Sequence, residues 1–191
     1  YLEIVEFLIE KGANINRDTI DDNSIFNWAC QKGDLKMVEF LVKKGYKLDR
    51  HNDIDPYTPL HFACQNGRSD IVNFLLKKNA DINKADTDGQ TPLHVASDFG
   101  YFKIVENLLN NGANSKIKDK FGRTAIMLAC LNGYLDIVNF LIEKGADVEE
   151  TDENGRNFFH FACQNGRLEI VNFLIEKGAD INKADNFGQT P

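Results

Sequence analysis

Blocks of apolar and polar residues recur along the chain at a fixed interval. Residues 67–75 read Gly-Arg-Ser-Asp-Ile-Val-Asn-Phe-Leu and residues 166–174 read Gly-Arg-Leu-Glu-Ile-Val-Asn-Phe-Leu. The apolar residues of each block have the spacing that places them on one face of a helix. The frame returns every 33 residues, except across residues 46–57, where one extra residue makes the interval 34. The pattern predicts a stack of similar units.

Each unit is predicted to contain two short helices followed by a polar turn. A side chain able to cap backbone N–H groups precedes each first helix, namely Ser24, Thr58, Thr91, Thr124 and Asn157. A glycine ends that helix, and a second helix ends at a further glycine or, in one unit, at Asn79. The polar segment that follows, such as residues 80–89, should project as an extended finger. The predicted fold class is all-α.

The frame divides the chain into a half unit, five whole units and the start of another. The predicted boundaries are 1–17, 18–50, 51–84, 85–117, 118–150, 151–183 and 184–191. Isolated helices of this length are marginal in water, so each unit should depend on its neighbours for stability. The chain begins with Tyr1 and both ends fall within a unit, so we expect a piece of a longer protein that frays at 1–17 and 184–191.

The helix starts carry a family resemblance. Residues 58–61 and 91–94 both read Thr-Pro-Leu-His, and Asp-x-x-Gly precedes the helix at residues 86–89, 119–122, 152–155 and 185–188. Recurring in one frame, these motifs resemble the ankyrin repeat over essentially the whole chain, with departures at 24–27, 124–127 and 157–160. The resemblance implies a solenoid of stacked helix-turn-helix units with projecting β-turn fingers. It also implies a concave groove, formed by fingers and first helices, that binds other proteins without catalysing a reaction.

The charge and hydropathy of the chain narrow the choice of partners. The net charge is -7, and acidic and basic residues are interspersed, so no basic stripe is expected to neutralise nucleic-acid phosphates. No apolar run is long enough to span a membrane, and no signal peptide begins the chain. We therefore expect a protein partner, with no nucleic acid, no membrane insertion and no small-molecule substrate. The expected location is intracellular and cytoplasmic.

Residues able to carry chemistry fall at framework positions. Cys30, Cys64, Cys130 and Cys163 share one repeat position, where a helix spacing of roughly 8–10 Å between units would exceed the reach of a disulfide. Small buried thiols in a reducing compartment explain them. His61, His94 and His160 share another position, at which a structural hydrogen bond from ring to backbone is the expected role. We predict no enzyme, no metal site and no cofactor, since no catalytic motif accompanies these residues.

Two further series of residues have a structural explanation. Trp28, Phe62, Val95, Leu128 and Phe161 form one apolar series, which we interpret as core. Asn16, Asn83 and Asn182 recur at the finger base, a place that resembles the site of asparagine hydroxylation in some ankyrin proteins. Structural hydrogen bonding is the favoured role for these asparagines.

Apolar residues at positions that should face solvent are the candidate binding residues. They are Ile20, Ile54, Tyr57, Phe99, Phe121, Leu131 and Phe187. Aromatic anchors among polar residues are typical of interface hot spots, whereas the alternative is that some fold back over neighbouring fingers. Lys120, Arg123 and Arg156 would add electrostatic selectivity for an acidic partner segment. The irregular stretch 46–57 is either a contact loop or a tolerated insertion.

The sequence thus predicts a protein–protein interaction scaffold or adaptor. Two alternatives stay open at this point. One is a structural spacer within a longer repeat array, and the other is a regulatory module of a larger enzyme or channel.

Overall fold

Paired helices make up the fold of a computed structural model, which describes residues 2–14, 25–48, 57–147 and 149–191. Eleven helices lie in these ranges, and no strand does, although Thr151 and Asn157 form one isolated antiparallel bridge. The helices are α1 (Leu2–Glu10), α2 (Ile25–Lys32), α3 (Leu35–Lys43), α4 (Pro59–Gln65), α5 (Ser69–Lys77), α6 (Pro92–Asp98), α7 (Phe102–Asn110), α8 (Ala125–Asn132), α9 (Leu135–Glu143), α10 (Phe158–Gln164) and α11 (Leu168–Glu176).

The helices pair and stack as the periodicity predicts. Helices α2 and α3, α4 and α5, α6 and α7, α8 and α9, and α10 and α11 each form one antiparallel unit. The first helices of successive units pack in a row, and the second helices form a looser row beside them. The all-α array is therefore confirmed, whereas the predicted cap Ser24 lies outside the described residues.

One apolar core runs through the stack without a break between units. A second helix such as α5 contributes Ile71, Val72 and Leu75, each at most 1% exposed, and α4 contributes Leu60 and Ala63 from the other side. Burial of these apolar side chains against the next unit is the main favourable contribution to the stability of each helix pair.

The apolar series of the first helices is core in only part of the stack. Val95, Leu128 and Phe161 are buried, and Phe62 is half-buried. Trp28, which we expected in the core, is 38% exposed. This repeat position therefore lies at the margin of the core, and burial there differs from unit to unit.

An aspartate closes each described finger. The carboxylate of Asp86 accepts hydrogen bonds from the backbone N–H groups of Asp88 and Gln90, both at 2.8 Å, and the backbone N–H of Asp86 donates to the Gln90 carbonyl at 2.9 Å. The same three bonds recur in the fingers that begin at Asp119, Asp152 and Asp185. The Asp-x-x-Gly motif of the sequence is thus the closure of the predicted finger.

Backbone hydrogen bonds join each of these fingers to the next. The N–H of Lys120 donates to the Asp88 carbonyl at 2.8 Å, that of Glu153 to the Phe121 carbonyl at 3.3 Å, and that of Asn186 to the Asn154 carbonyl at 2.9 Å. Gly122 lies at this contact with φ +74, and a Cβ added there would be 2.6 Å from the Glu153 nitrogen. Glycine is needed at this place both for its φ and for the close approach of two backbones.

At the C-terminal ends of the second helices the backbone needs a positive φ, but no second backbone lies close by. Gly145 has φ +89 with nothing within 4 Å of an added Cβ. Asn79, at the same repeat position, adopts φ 61. The prediction that asparagine serves as a left-handed helix end is therefore confirmed.

Replacing each of these two glycines by alanine should separate the two costs. Gly145→Ala should lower the free energy of unfolding by about 1 kcal/mol, the cost of left-handed backbone alone. Gly122→Ala should lower it by about 3 kcal/mol, because overlap with the Glu153 backbone is added. Urea unfolding followed by circular dichroism measures both values, and equal losses would contradict the account of finger stacking.

Candidate protein-interaction surface

The histidines of the Thr-Pro-Leu-His motifs join neighbouring units. In α4, Nδ1 of His61 accepts the backbone N–H of Thr58 at 3.1 Å and lies 2.8 Å from the Thr58 hydroxyl. Since Nδ1 is the acceptor, Nε2 carries the proton and donates to the Gln90 carbonyl of the next finger at 3.1 Å. The predicted hydrogen bond from ring to backbone is confirmed.

Equivalent bonds occur twice more in the stack. Nε2 of His94 lies 3.1 Å from the Arg123 carbonyl, and Nε2 of His160 lies 3.3 Å from the Gln189 carbonyl. Burial lowers the pKa of His61 to about 4 and lowers the pKa of His94 as well. Both rings are therefore neutral at physiological pH, and every ring nitrogen has a structural partner, so neither ring is placed for catalysis.

Met127 occupies the histidine position in α8. The hydroxyl of Thr124, which corresponds to Thr58 and Thr91, is buried there without a hydrogen-bond partner. The Arg156 carbonyl in turn faces no histidine. The junction between the units that hold α8 and α10 therefore lacks a polar link that the three histidine-containing junctions have.

The cysteine thiols are core groups rather than reactive ones. Cys30, Cys64 and Cys130 are fully buried, which confirms that interpretation for them, and burial raises the pKa of each thiol. Cys163 is half-buried, and burial raises its pKa too. A raised pKa keeps a thiol protonated and a weak nucleophile. Over the described part of the chain, no three His, Cys, Asp or Glu side chains are grouped so as to hold a metal ion.

The fingers and the C-terminal ends of the first helices form one surface. The guanidinium of Arg156, in a finger, lies 4.8 Å from the centre of the Phe161 ring, and its Nη1 is 3.4 Å from Oε1 of Gln164 in α10. Neighbouring first helices are joined along the same surface, since the Asn132 amide donates to Asp98 at 2.8 Å. We refer to the exposed residues of these fingers and first-helix ends as the finger surface.

Three predicted anchors are exposed on the finger surface. Phe99 at the end of α6 is 44% exposed, Phe121 in one finger is 56% exposed, and Phe187 in another is 73% exposed. Phe121 and Phe187 occupy one repeat position two units apart. Each exposes enough ring to anchor a partner.

The remaining apolar candidates differ from the prediction or lie outside the described residues. Tyr57 is half-buried, because its ring packs 4.8 Å from both His61 and Phe62. Leu131 is also half-buried and packs against the core, so neither side chain is as exposed as its position suggested. Ile20 and Ile54 belong to ranges that are not described.

The three basic candidates have different environments. Lys120 is exposed. Arg123 donates to the fully buried Asp119 carboxylate at 2.7 Å, and Arg156 donates to that of Asp152 at 2.8 Å. Arg123 also covers one face of Phe121, with 4.8 Å between the guanidinium carbon and the ring centre. Part of the charge of each arginine is therefore balanced within its own finger.

The sequence pattern did not single out Trp28 as a surface residue, because its neighbours in the series are apolar core residues. Val95 and Leu128 are buried at the same repeat position, so nothing in the sequence indicates that Trp28 is 38% exposed. Asn83 has the structural role favoured above, since its side-chain oxygen accepts the backbone N–H of Asn114 at 2.8 Å. Of the helices described, none is long and apolar enough to cross a membrane.

Models of known protein families match this repeat. A family model described as ankyrin repeats in three copies matches residues 26–119 and again residues 93–185. A second, described as ankyrin repeats in many copies, matches residues 1–42. A comparison with curated proteins returned no match. The motifs from which the resemblance was drawn fall within the matched segments, except the Asp-x-x-Gly motif at residues 185–188, of which only Asp185 is matched.

The buried histidines should make stability depend on pH. The pKa of His61 is about 4 in the folded chain and about 6.5 in the unfolded chain, so the unfolded chain is protonated first on acidification. The free energy of unfolding therefore falls as the pH drops from 6.5 toward 4. For His61 the loss between pH 7 and pH 5 should be about 2 kcal/mol. Urea unfolding at both values measures it.

The matched control is the double variant His61→Asn and His94→Asn, because Asn27 already occupies this position in α2. The variant should be less stable at pH 7 but should lose less stability on acidification. An equal loss in the variant would show that other groups cause the pH dependence.

Proposed function

Because the chain belongs to the ankyrin-repeat family, whose members are generally protein–protein interaction modules and typically non-catalytic, we propose that it is a scaffold or adaptor that binds a partner protein. The partner would occupy the concave face formed by the fingers and first helices. This interaction would take place inside the cell, in the cytoplasm, where reduced thiols such as those of the core persist.

The observation that carries the proposal is the exposure of phenylalanine where the fold accepts polar residues. The finger position of Phe121 and Phe187 holds Asp88 and Asn154 in the two other described fingers. The helix-end position of Phe99 holds Asn66, Asn132 and Asn165. Folding therefore does not require an aromatic ring at either position, and exposing one has a cost in solubility. Such residues are typical of binding anchors.

Polar neighbours would orient the partner around these anchors. Lys120 is adjacent to Phe121 in the same finger tip and is exposed to solvent. We propose that Lys120 attracts an acidic group of the partner, with Arg123 and Arg156 adding directional donors at the edge of the same surface. Their pairing with buried aspartates holds the guanidinium groups in fixed positions, so less side-chain entropy is lost on binding. Tyr57 and Leu131 would contribute only their exposed edges.

Replacing the three anchors tests the proposal. The variant Phe99→Asn, Phe121→Asn, Phe187→Asn introduces residues that the corresponding positions already carry, so it should unfold at a temperature close to that of the parent. Proteins captured from a lysate by the parent should be lost or bound at least tenfold more weakly by the variant, since each hot-spot ring contributes about 2 kcal/mol or more. Calorimetric titration with the captured protein gives the affinity.

A control variant carries three polar substitutions on the second helices. Lys36→Asn, Lys103→Asn and Glu169→Asn change exposed side chains away from the finger surface and should leave binding unchanged. Retention of the same proteins by the phenylalanine variant would contradict the proposed surface. Absence of any specific partner would instead favour a spacer role.

A further inference from the structure

The finger segments of the chain differ in net charge, and one of them is basic. Six such segments occur in the sequence, at residues 13–24, 46–58, 80–91, 113–124, 146–157 and 179–190. Residues 113–124 contain four Lys or Arg against one Asp, a balance of +3, whereas each of the other five segments has more Asp and Glu than Lys and Arg. Residues 146–157, which form the next finger, contain one Arg against five Asp or Glu, a balance of -4. The largest change of charge along the chain therefore lies between two adjacent fingers.

Ion pairs neutralise many of the charges in these two fingers. Lys118 of the basic finger lies 3.4 Å from Glu150 of the acidic finger. The other pairs are Arg123 with Asp119, Arg156 with Asp152, and Lys183 of the following finger with Glu149. Charged side chains at the finger tips are not included in these pairs.

Lys120 and Glu153 are exposed charges at the tips of the basic and the acidic finger. They occupy the same repeat position one unit apart. Asp88 is exposed at the tip of the finger before them. In the part of the chain that the structure describes, none of the three forms an ion pair. Successive finger tips thus present a negative, a positive and a negative charge, in an order fixed by the backbone bonds between the tips.

We propose that this charge order selects a partner segment whose charges run basic, acidic, basic along the finger tips. The inference rests on the function proposed above, because it concerns the same finger surface. Stacked units are about 8–10 Å apart, and a polyproline II segment advances about 9 Å in the three residues that return a side chain to the same face. Charged residues at every third position would therefore meet successive tips. A uniformly anionic ligand, such as nucleic acid or a lipid surface, would be repelled at Asp88 and Glu153.

The residues beside these charges suit an extended segment. Phe121 is adjacent to Lys120, and Phe187 lies two units further along, so both exposed rings can contact apolar residues of one segment. Asn154 is exposed at the same repeat position in the finger between them. A polyproline II segment has no internal hydrogen bonds, so its carbonyls can accept from such an amide, whereas helix carbonyls are already bonded.

Exchanging the two tip charges tests the inference. The variant Lys120→Glu, Glu153→Lys keeps the net charge of the protein, and its fold should be preserved because each new residue occupies that repeat position in the neighbouring finger. The probes are two fluorescently labelled peptides of equal composition. Lys-Pro-Pro-Glu-Pro-Pro-Lys-Pro-Pro-Leu has the proposed charge order, and Lys-Pro-Pro-Lys-Pro-Pro-Glu-Pro-Pro-Leu does not. Fluorescence anisotropy at low ionic strength, where exposed charges are weakly screened, measures the four affinities.

The parent should bind the first peptide about threefold more tightly than the second, because the second loses at least one exposed charge contact in any register. The exchanged variant should prefer the second peptide by a similar factor, since its tips run negative, negative, positive. An unchanged preference in the variant would overturn the inference. So would equal binding of the two peptides by the parent, or binding of neither.

The phenylalanine variant separates this inference from the function proposed above. Phe99→Asn, Phe121→Asn, Phe187→Asn should weaken binding of both peptides but keep the preference between them, because the tip charges are unchanged. If the parent shows no preference while the phenylalanine variant loses the captured proteins, the charge order is wrong and the proposed function stands. If the phenylalanine variant keeps the captured proteins, the finger surface itself is wrong and the inference is overturned with it.

Discussion

The stability of every unit depends on its neighbours, because a pair of helices of seven to nine residues cannot bury an apolar core alone. Apolar packing drives the units together but does little to fix their relative position along the stack. Polar bonds between units fix that position, through the histidine that reaches the next finger and the backbone bonds that join successive finger tips. The carbonyls and N–H groups involved are fixed points of the backbone, so adjacent units are held in one relative position.

Because buried apolar residues stabilise the units and buried polar bonds align them, the exposed residues are free to vary. Asp86 and its equivalents, the stacked glycines and the buried histidines are committed to the framework, whereas the side chains of Phe99, Phe121 and Phe187 are exposed at finger tips and a helix end. Phenylalanine alternates with Asp88 and Asn154 at one such position, and lysine alternates with glutamate at another. A framework that tolerates opposite chemistry at the same position can acquire a specific partner without loss of stability.

Periodicity was sufficient to predict the helices, the finger and the role of the histidines, since each follows from a local rule that repeats. Exposure of individual side chains was harder to predict. Tyr57 and Leu131 occupy surface positions of the frame, yet each packs against neighbours, and Trp28 occupies an apolar position of the frame but reaches solvent. These outcomes depend on contacts between units that a single repeat does not encode. The pairing of Arg123 and Arg156 with buried aspartates was likewise invisible, although the four-residue spacing from Asp119 and Asp152 is present in the sequence.

The most direct test of the account is the exchange of histidine and methionine between junctions. Met127→His is close to conserving volume and would place a donor near the Arg156 carbonyl and an acceptor near the unpartnered Thr124 hydroxyl. If inter-unit polar bonds hold the stack in register, this variant should gain about 1 kcal/mol in the free energy of urea unfolding, whereas His94→Met should lose about 1–3 kcal/mol. A Met127→His variant no more stable than the parent, together with a harmless His94→Met, would show that apolar packing alone sets the arrangement of the units.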